Sequence, residues 1–161
     1  MPLNNFIGSA VVTLDDKGRC SFPREHRRNL KPASDEAHAN EEISVVITVG
    51  PTRSLLCYTI NAWNKFVQEL NHRPKTPQNI RFTRQVIGMA RESVLDKQNR
   101  ISLSPEQLAY AEIDTEILFL GEGENLSLWQ PKKYHDLYSL NTLEDYADLD
   151  AGFFDPAHQG T

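Results

Sequence analysis

Residues 14–23 of this chain read Leu14-Asp15-Asp16-Lys17-Gly18-Arg19-Cys20-Ser21-Phe22-Pro23, and residues 95–105 read Leu95-Asp96-Lys97-Gln98-Asn99-Arg100-Ile101-Ser102-Leu103-Ser104-Pro105. Both contain the spacing Asp-x-x-x-Arg between two apolar runs. In each, a run typical of a β-strand precedes the motif, a short alternating run follows it, and a proline that can open a helix comes next. The chain is therefore a tandem repeat in which the motif forms a turn.

The match extends beyond the two turns. Leu55-Leu56-Cys57-Tyr58 corresponds to Leu126-Ser127-Leu128-Trp129, and an aromatic residue, Trp63 or Tyr134, stands five residues after each segment. The distance from Arg19 to Tyr58 in the first copy is ten residues longer than that from Arg100 to Trp129 in the second. We assign the extra residues to a surface loop formed by the polar stretch 31–42. Each unit therefore reads strand, turn, strand, short helix, strand, turn, strand, helix.

Helical patterns complete each unit. Asn61 is expected to cap a helix from Ala62 to Leu70, in which Trp63, Phe66, Val67 and Leu70 form one apolar core-packing face. A weaker stripe, Tyr134, Leu137 and Tyr138, follows Pro131.

Two further helices are predicted from residues that commonly begin a helix. Thr76-Pro77 begins one that runs to about Ile87, with Ile80 and Ile87 inward and Arg81 and Arg84 more outward. Ser104-Pro105-Glu106-Gln107 reads as an N-cap, an N1 proline and a capping-box glutamine.

These elements predict an α+β protein whose two halves share one core. A half of about 70 residues buries too little surface to be robust alone, and isolated hairpins are rich in unpaired edges. We therefore expect the copies to interleave or pair. The predicted segments are 6–72 for the first repeat, 73–87 for a linker helix, 88–140 for the second repeat and 141–161 for an acidic, loosely ordered tail.

Composition argues against several classes of protein. No apolar run approaches the about 20 residues that a membrane helix needs, and no signal pattern begins the chain, so we expect a cytoplasmic protein without membrane contact. Cys20 and Cys57 read as buried thiols inside strands, and the five histidines lack metal-ligand spacing. No phosphate loop or catalytic cluster is present, so the sequence predicts no enzyme, cofactor or metal site.

Charge is distributed unevenly along a chain whose net charge is −5. Five basic residues lie between Lys17 and Arg28, and seven lie between Arg73 and Arg100. After Arg100 the only basic residues are Lys132 and Lys133, whereas the tail carries Glu144, Asp145, Asp148, Asp150 and Asp155. Positive charge is thus concentrated around the two turns and the segment between them.

Taken together, these residues resemble the MraZ family of bacterial transcription regulators over about residues 6–140. The resemblance is carried by Phe6 and Gly8, by Leu14-Asp15-x-Lys17-Gly18-Arg19 with Pro23 and Arg27, by Gly88-x-Ala90 and Asp96-x-x-x-Arg100 with Leu108, and by Leu128-Trp129. It implies two tandem AbrB-like swapped-hairpin units that form a pseudo-two-fold, β-barrel-like core with flanking helices.

The resemblance also implies a function. Members of the family bind promoter DNA that carries short, closely spaced repeats ahead of the division and cell-wall gene cluster, usually as repressors, and form rings. A nucleoid-associated homo-oligomer that binds double-stranded promoter DNA is therefore expected. A closed ring would present its hairpins at regular intervals to repeats spaced near one helical turn.

The resemblance gives each motif residue an expected role. Arg19 contacts a base or phosphate, since its fork matches guanine O6 and N7, and Lys17 contacts phosphate. Asp15 orients the motif by pairing with Arg19 or the turn backbone, and Gly18 supplies a positive φ. The basic patch is extended by Arg24, Arg27 and Arg28.

The second copy departs from the family pattern. Asn99 stands where the family usually has glycine, a tolerable change because asparagine also visits the left-handed region. Ala109 stands where arginine is frequent, so Lys97 and Arg100, with Asp96 as the motif carboxylate, serve DNA contact or else folding and subunit contacts. We rank the second turn below the first.

Other interpretations remain open at this point. Each Asp/Arg pair could be only a turn-stabilising ion pair beside a solvated basic surface. The protein could be a ring-forming scaffold or antitoxin-like partner, which predicts salt-insensitive oligomers and no DNA preference. It could also be an AbrB-type regulator of other operons. An enzyme would need converging titratable groups, which the sequence does not supply.

Overall fold

The computed structural model describes residues 5–30 and 42–138. The predicted surface loop lies almost wholly outside the described residues, and the acidic tail lies wholly outside them. The strands are Ser9–Thr13 (β1), Arg19–Ser21 (β2), Ser44–Val49 (β3), Leu55–Thr59 (β4), Arg91–Val94 (β5), Arg100–Ser102 (β6), Glu116–Gly121 (β7) and Leu126–Trp129 (β8). The helices are Arg24–Arg27 (α1), Ile60–His72 (α2), Pro77–Gly88 (α3), Pro105–Ala111 (α4) and Pro131–Tyr138 (α5), with a 3-10 turn at Pro51–Arg53. Each copy thus has the predicted order of elements.

The two copies are interleaved strand by strand. Six strands form an antiparallel sheet in the order β1-β7-β8-β4-β3-β5, and β2 pairs with β6 in a separate two-stranded ribbon. The first strand of each copy pairs with the third strand of the other, as β1 with β7 and β5 with β3. Pairing between β4 and β8 joins the halves at the centre. The expectation that the copies interleave or pair is confirmed, because strands of each copy pair with strands of the other.

The expected barrel-like core needs correction. The six-stranded sheet does not close as a barrel, since β1 and β5 form its two edges. The three-residue strands β2 and β6 pair with each other in a ribbon separate from that sheet. The core is instead an open sheet with one face covered by the ribbon.

Side chains along each strand point alternately to the two faces of the six-stranded sheet, and each face packs against a different layer. On the inner face Ile47 and Cys57 belong to one buried cluster with Cys20 and Ile101 of the ribbon. On the outer face the Tyr58 ring stacks on Phe66 of α2 at 5.2 Å, and the Thr48 hydroxyl donates to the Val86 carbonyl of α3. Helices α2 and α3 therefore lie on the face of the sheet opposite the ribbon.

Two details of the helix predictions are wrong. The α2 helix begins at Ile60, and Thr59 rather than Asn61 caps it by accepting from the Ala62 N–H, because the strand before it runs directly into the helix. Ile87 is 39% exposed, and its neighbour Val86 is the buried residue. The α3 helix ends at Gly88, which agrees with the predicted end at about Ile87, and β5 begins at Arg91.

The capping box of α4 is confirmed. The Ser104 hydroxyl accepts from the Gln107 N–H, and the Gln107 side-chain oxygen accepts from the Ser104 N–H. The Gln107 amide nitrogen also donates to the carbonyls of Ile47 (2.8 Å) and Met89 (3.0 Å). One buried side chain thus begins a helix and fastens it to β3 and to the end of α3.

Candidate nucleic-acid interface

The ribbon formed by β2 and β6 places both motif arginines on one exposed face. Arg19 lies opposite Ser102, and Ser21 lies opposite Arg100. Residues two apart on a strand point to the same side, so Arg19 and Arg100 are diagonal neighbours, about 7 Å apart by strand geometry. The alternate residues, Cys20 and Ile101, point into the core and are buried. Alternating side chains thus give the ribbon one buried and one polar face.

Each arginine is held by the aspartate of its own motif. The Asp15 Oδ1 atom accepts from the backbone N–H groups of Lys17 (2.9 Å) and Arg19 (2.8 Å), while its Oδ2 accepts from Arg19 Nε at 2.8 Å. In the second copy Asp96 accepts in the same way from the backbone N–H groups of Gln98 and Arg100, and from Arg100 Nε at 2.8 Å. Asp15 thus pairs with both the Arg19 side chain and the backbone of its turn, and Asp96 makes the same contacts in the second copy.

These hydrogen bonds favour the ionised carboxylates. The backbone N–H of Arg19 holds the pKa of Asp15 below its ordinary value, with smaller help from the Arg19 side chain and the Lys17 N–H against some desolvation. The N–H of Arg100 lowers the pKa of Asp96 for the same reason. Both ion pairs are therefore formed at neutral pH.

The backbone of both turns is left-handed where the sequence predicts it. Gly18 has φ of +76° and Asn99 has φ of +58°. A Cβ atom on Gly18 would lie 2.8 Å from the Leu103 carbonyl oxygen, so glycine is required there by close approach as well as by φ. Leu103 N donates to Gly18 O, and Phe22 N donates to Asn99 O, so the two turns lie at opposite ends of the ribbon.

The remaining predicted residues divide between these ends. Lys17 and Lys97 are exposed on the first and second turn. Helix α1 begins just after Phe22, which pairs with Asn99, and so the exposed Arg24 and Arg28 follow the end of the ribbon that carries the second turn. In the sequence, by contrast, Arg24 and Arg28 lie closer to the first turn, and the sequence therefore placed them in the same basic patch as that turn.

Arg27 differs from the other basic residues of α1. It is half-buried, and its Nε atom is enclosed without a hydrogen-bond partner among the described residues. The adjacent His26 is fully buried, and its Nε2 atom lies 3.0 Å from the Ile7 carbonyl oxygen. His26 occupies in the first copy the position that Gln107 occupies in the second, so both copies use a buried polar side chain after the ribbon.

Sequence reasoning missed two residues of this face. Ser21 and Ser102 are exposed and lie opposite the two arginines. The sequence could have predicted them, because side chains alternate between the two faces of a strand. If Cys20 and Ile101 point into the core, their neighbours Ser21 and Ser102 must point outward.

In residues 5–30 and 42–138, no group of three or more histidine, cysteine, aspartate or glutamate side chains could hold a metal ion. No helix within those ranges is both long and apolar enough to cross a membrane.

The fold and the ribbon define a duplicated, interleaved hairpin protein whose two copies together build one polar face. The chain belongs to the MraZ family: the family described as "MraZ protein, putative antitoxin-like" matches residues 6–84 and 86–152.

Several similar proteins carry the name transcriptional regulator MraZ. The protein from Nitrosomonas europaea is 33% identical over 90% of this chain and 93% of its own length. That from Dechloromonas aromatica is 31% identical over 93% of this chain and 97% of its own length. That from Thioalkalivibrio sulfidiphilus is 34% identical over 77% and 79%, respectively.

Proposed function

We propose that this chain is a sequence-specific DNA-binding transcription regulator that reads DNA through the exposed face of the β2–β6 ribbon. A two-stranded ribbon fits the major groove of B-DNA, where base edges are distinguishable. The name transcriptional regulator, which the similar proteins carry, supports the same role and does not describe an enzyme.

One observation carries this proposal, namely the diagonal placement of Arg19 and Arg100 on the ribbon. Each uses Nε to bond its own aspartate at 2.8 Å, so each guanidinium is held in orientation before DNA arrives. The terminal amino groups of a guanidinium so fixed can donate to guanine O6 and N7. Ser21 and Ser102 add hydroxyls that can donate or accept on the same face.

The other cations supply affinity rather than sequence information. Lys17 and Lys97 flank the ribbon on the two turns, and Arg24 and Arg28 extend it through α1. Such side chains contact phosphates, which makes binding depend steeply on salt. We assign Arg27 a supporting role at the base of α1, since its side chain is half-buried.

The finer features of the resemblance form part of the same proposal. We infer that residues 6–72 and 88–140 are AbrB-like swapped-hairpin units joined by the 73–87 linker. The exchange of first strands between copies supports this assignment. We also propose repression of the division and cell-wall gene cluster through repeated promoter boxes, a closed homo-oligomeric ring, and a cytoplasmic, nucleoid-associated location.

The test is fluorescence-anisotropy binding of the full chain to the duplex upstream of its own gene and to a shuffled duplex of equal length, each at several salt concentrations. We expect tighter binding to the native duplex, with an affinity that falls as salt rises. Equal and weak binding to both duplexes would overturn the proposal.

A second candidate is a ring-forming interaction protein that does not read DNA sequence. It is favoured by the complete pairing of Arg19 with Asp15 and of Arg100 with Asp96, which would also suit two purely structural turns. The family description "antitoxin-like" fits such a partner. Salt-insensitive oligomers together with equal binding to both duplexes would support this candidate.

A further inference from the structure

A groove runs between α2 and α3, on the face of the sheet opposite the ribbon. Its apolar end is lined by Val67 and Leu70. Its basic end is lined by Arg73 and Lys75. Arg84 lines both ends, so the groove is continuous. A ligand that fills it must therefore combine apolar and anionic groups.

The apolar end is incompletely covered. Ile87 lines it and is 39% exposed, and Val67 on the facing helix is only half-buried. Apolar side chains placed over these two residues would be removed from water together with them, which favours association in proportion to the area buried. A groove between two helices commonly receives a peptide through such contacts.

Among the described residues, the cations at and around the basic end have no acidic partner. From residue 71 to residue 90 the sequence contains Arg73, Lys75, Arg81 and Arg84 but no aspartate or glutamate. Within the part of the chain that the structure describes, none of these four cations forms an ion pair. Arg73 is positioned over the Phe82 ring, with its guanidinium carbon 5.8 Å from the ring centre. The groove thus presents fixed positive charge in a protein of net charge −5.

The complementary composition occurs at the other end of the sequence. Residues 141–155 contain five carboxylates, Glu144, Asp145, Asp148, Asp150 and Asp155, and no lysine or arginine. Among them stand the apolar residues Tyr146, Leu149 and Phe153, spaced three and four positions apart. This segment therefore has both the charge and the apolar content that the groove requires.

We propose that the groove binds residues 141–155 of a second copy of this chain. The carboxylates lie along Arg73, Lys75 and Arg84, and the apolar side chains cover Val67 and Ile87. Each copy carries one groove and one acidic segment, so donation between copies joins them head to tail. Added salt should weaken the contact, because dissolved ions screen the attraction between solvent-exposed charges. Low salt should therefore strengthen it.

Photo-cross-linking of the full chain tests this contact. Phe153 is replaced by a benzophenone-bearing phenylalanine, and copies labelled with 15N are mixed with unlabelled copies and allowed to exchange subunits before irradiation. We expect mass spectrometry to find residue 153 joined to α2 or α3 near Val67 and Ile87, in peptide pairs that mix the two isotopes. Cross-links confined to a single isotope, or directed outside residues 60–88, would overturn the proposal.

Charge variants of the same protein identify the cause of the contact. Arg84→Glu should reduce the yield of these cross-links several-fold, and the yield should recover when Asp148→Arg and Asp150→Arg are added. Arg91→Glu is the matched control, because Arg91 is exposed on β5 and does not line the groove. An equal loss of cross-link yield in Arg84→Glu and in Arg91→Glu would overturn the assignment to this groove.

Discussion

Arg19 and Arg100 come from different copies of the repeat, yet they are diagonal neighbours on one face of the β2–β6 ribbon. Each is bonded through Nε to its own aspartate at 2.8 Å. Their side chains are also similarly exposed, 31% for Arg19 and 29% for Arg100. Two motifs that the sequence separates therefore form one surface, and the ranking of the first turn above the second has no counterpart in this geometry.

From this equivalence we expect Arg19→Ala and Arg100→Ala to weaken specific DNA binding by similar amounts. Loss of a bidentate base contact costs about 1–3 kcal/mol, or about 5- to 150-fold in Kd. Anisotropy titrations of both variants and of the double variant with the native duplex measure these losses and their coupling. Arg91→Ala, an exposed residue that is not part of the β2–β6 ribbon, is the control. A strong effect of Arg19→Ala with none from Arg100→Ala would contradict the shared site.

Protonation of Asp15 and Asp96 should occur only in acid. Their pKa values are lowered from the ordinary 3.8 chiefly by the backbone N–H groups of Arg19 and Arg100. A carboxyl whose pKa is lower in the folded protein adds stability above its unfolded pKa and loses that contribution as pH falls through the folded value. We expect 13C NMR titration to place both midpoints below 3.8, with the turns intact at neutral pH. A midpoint at or above 3.8 would disprove the carboxylate bonding described for that turn.

Gly18 should tolerate no side chain. In Gly18→Ala the Cβ would meet the Leu103 carbonyl oxygen at 2.8 Å while φ stays near +76°, and the left-handed conformation alone costs about 1–2 kcal/mol. Urea unfolding should therefore show a loss of at least this size. Gly88→Ala, where nothing lies within 4 Å of the added Cβ, should be neutral or slightly stabilising in the same assay. Similar unfolding free energies for the two variants would refute the close approach.

Gln107 should be among the polar residues most important for stability. Its amide bonds the Ile47 and Met89 carbonyls, and its removal leaves the buried Ile47 oxygen without this donor, which costs about 1–3 kcal/mol. The loss of the capping box adds to this cost. We expect Gln107→Ala to lower the free energy of unfolding accordingly, whereas Gln98→Ala, on the exposed second turn, should change it little. Equal effects would indicate that the Gln107 contacts contribute no net stability.

The two cysteines should be unreactive in the native protein. Burial raises the pKa of the Cys20 thiol to about 12 and raises that of Cys57 as well, so almost no thiolate exists at neutral pH. Ellman's reagent should therefore release its chromophore only as the chain unfolds, and both thiols should then react. Stoichiometric release from the folded protein would show that one of the thiols is accessible.

Most features that depend on residues close together in the sequence were predicted correctly, whereas several features that depend on tertiary packing were not. The capping box at Ser104 and the left-handed Gly18 and Asn99 were recognised because their bonds lie within a few residues. The cap of α2 was misplaced by two residues because Thr59 also ends a strand, and the periodicity of α3 gave Ile87 where packing buries Val86. Helical period fixes a face only within about one residue, so tertiary packing chooses between neighbours.

The sequence by itself determined that the chain is duplicated and that each copy alternates hairpins and helices. Only the tertiary structure decided that the first strand of each copy pairs in the other copy, that Arg19 and Arg100 share a face, and that Arg24 follows the end of the ribbon with the second turn. The physical reason is range. Turn bonds and caps join residues a few positions apart, whereas strand pairing joins edges distant in sequence, and local patterns do not specify which edge is chosen.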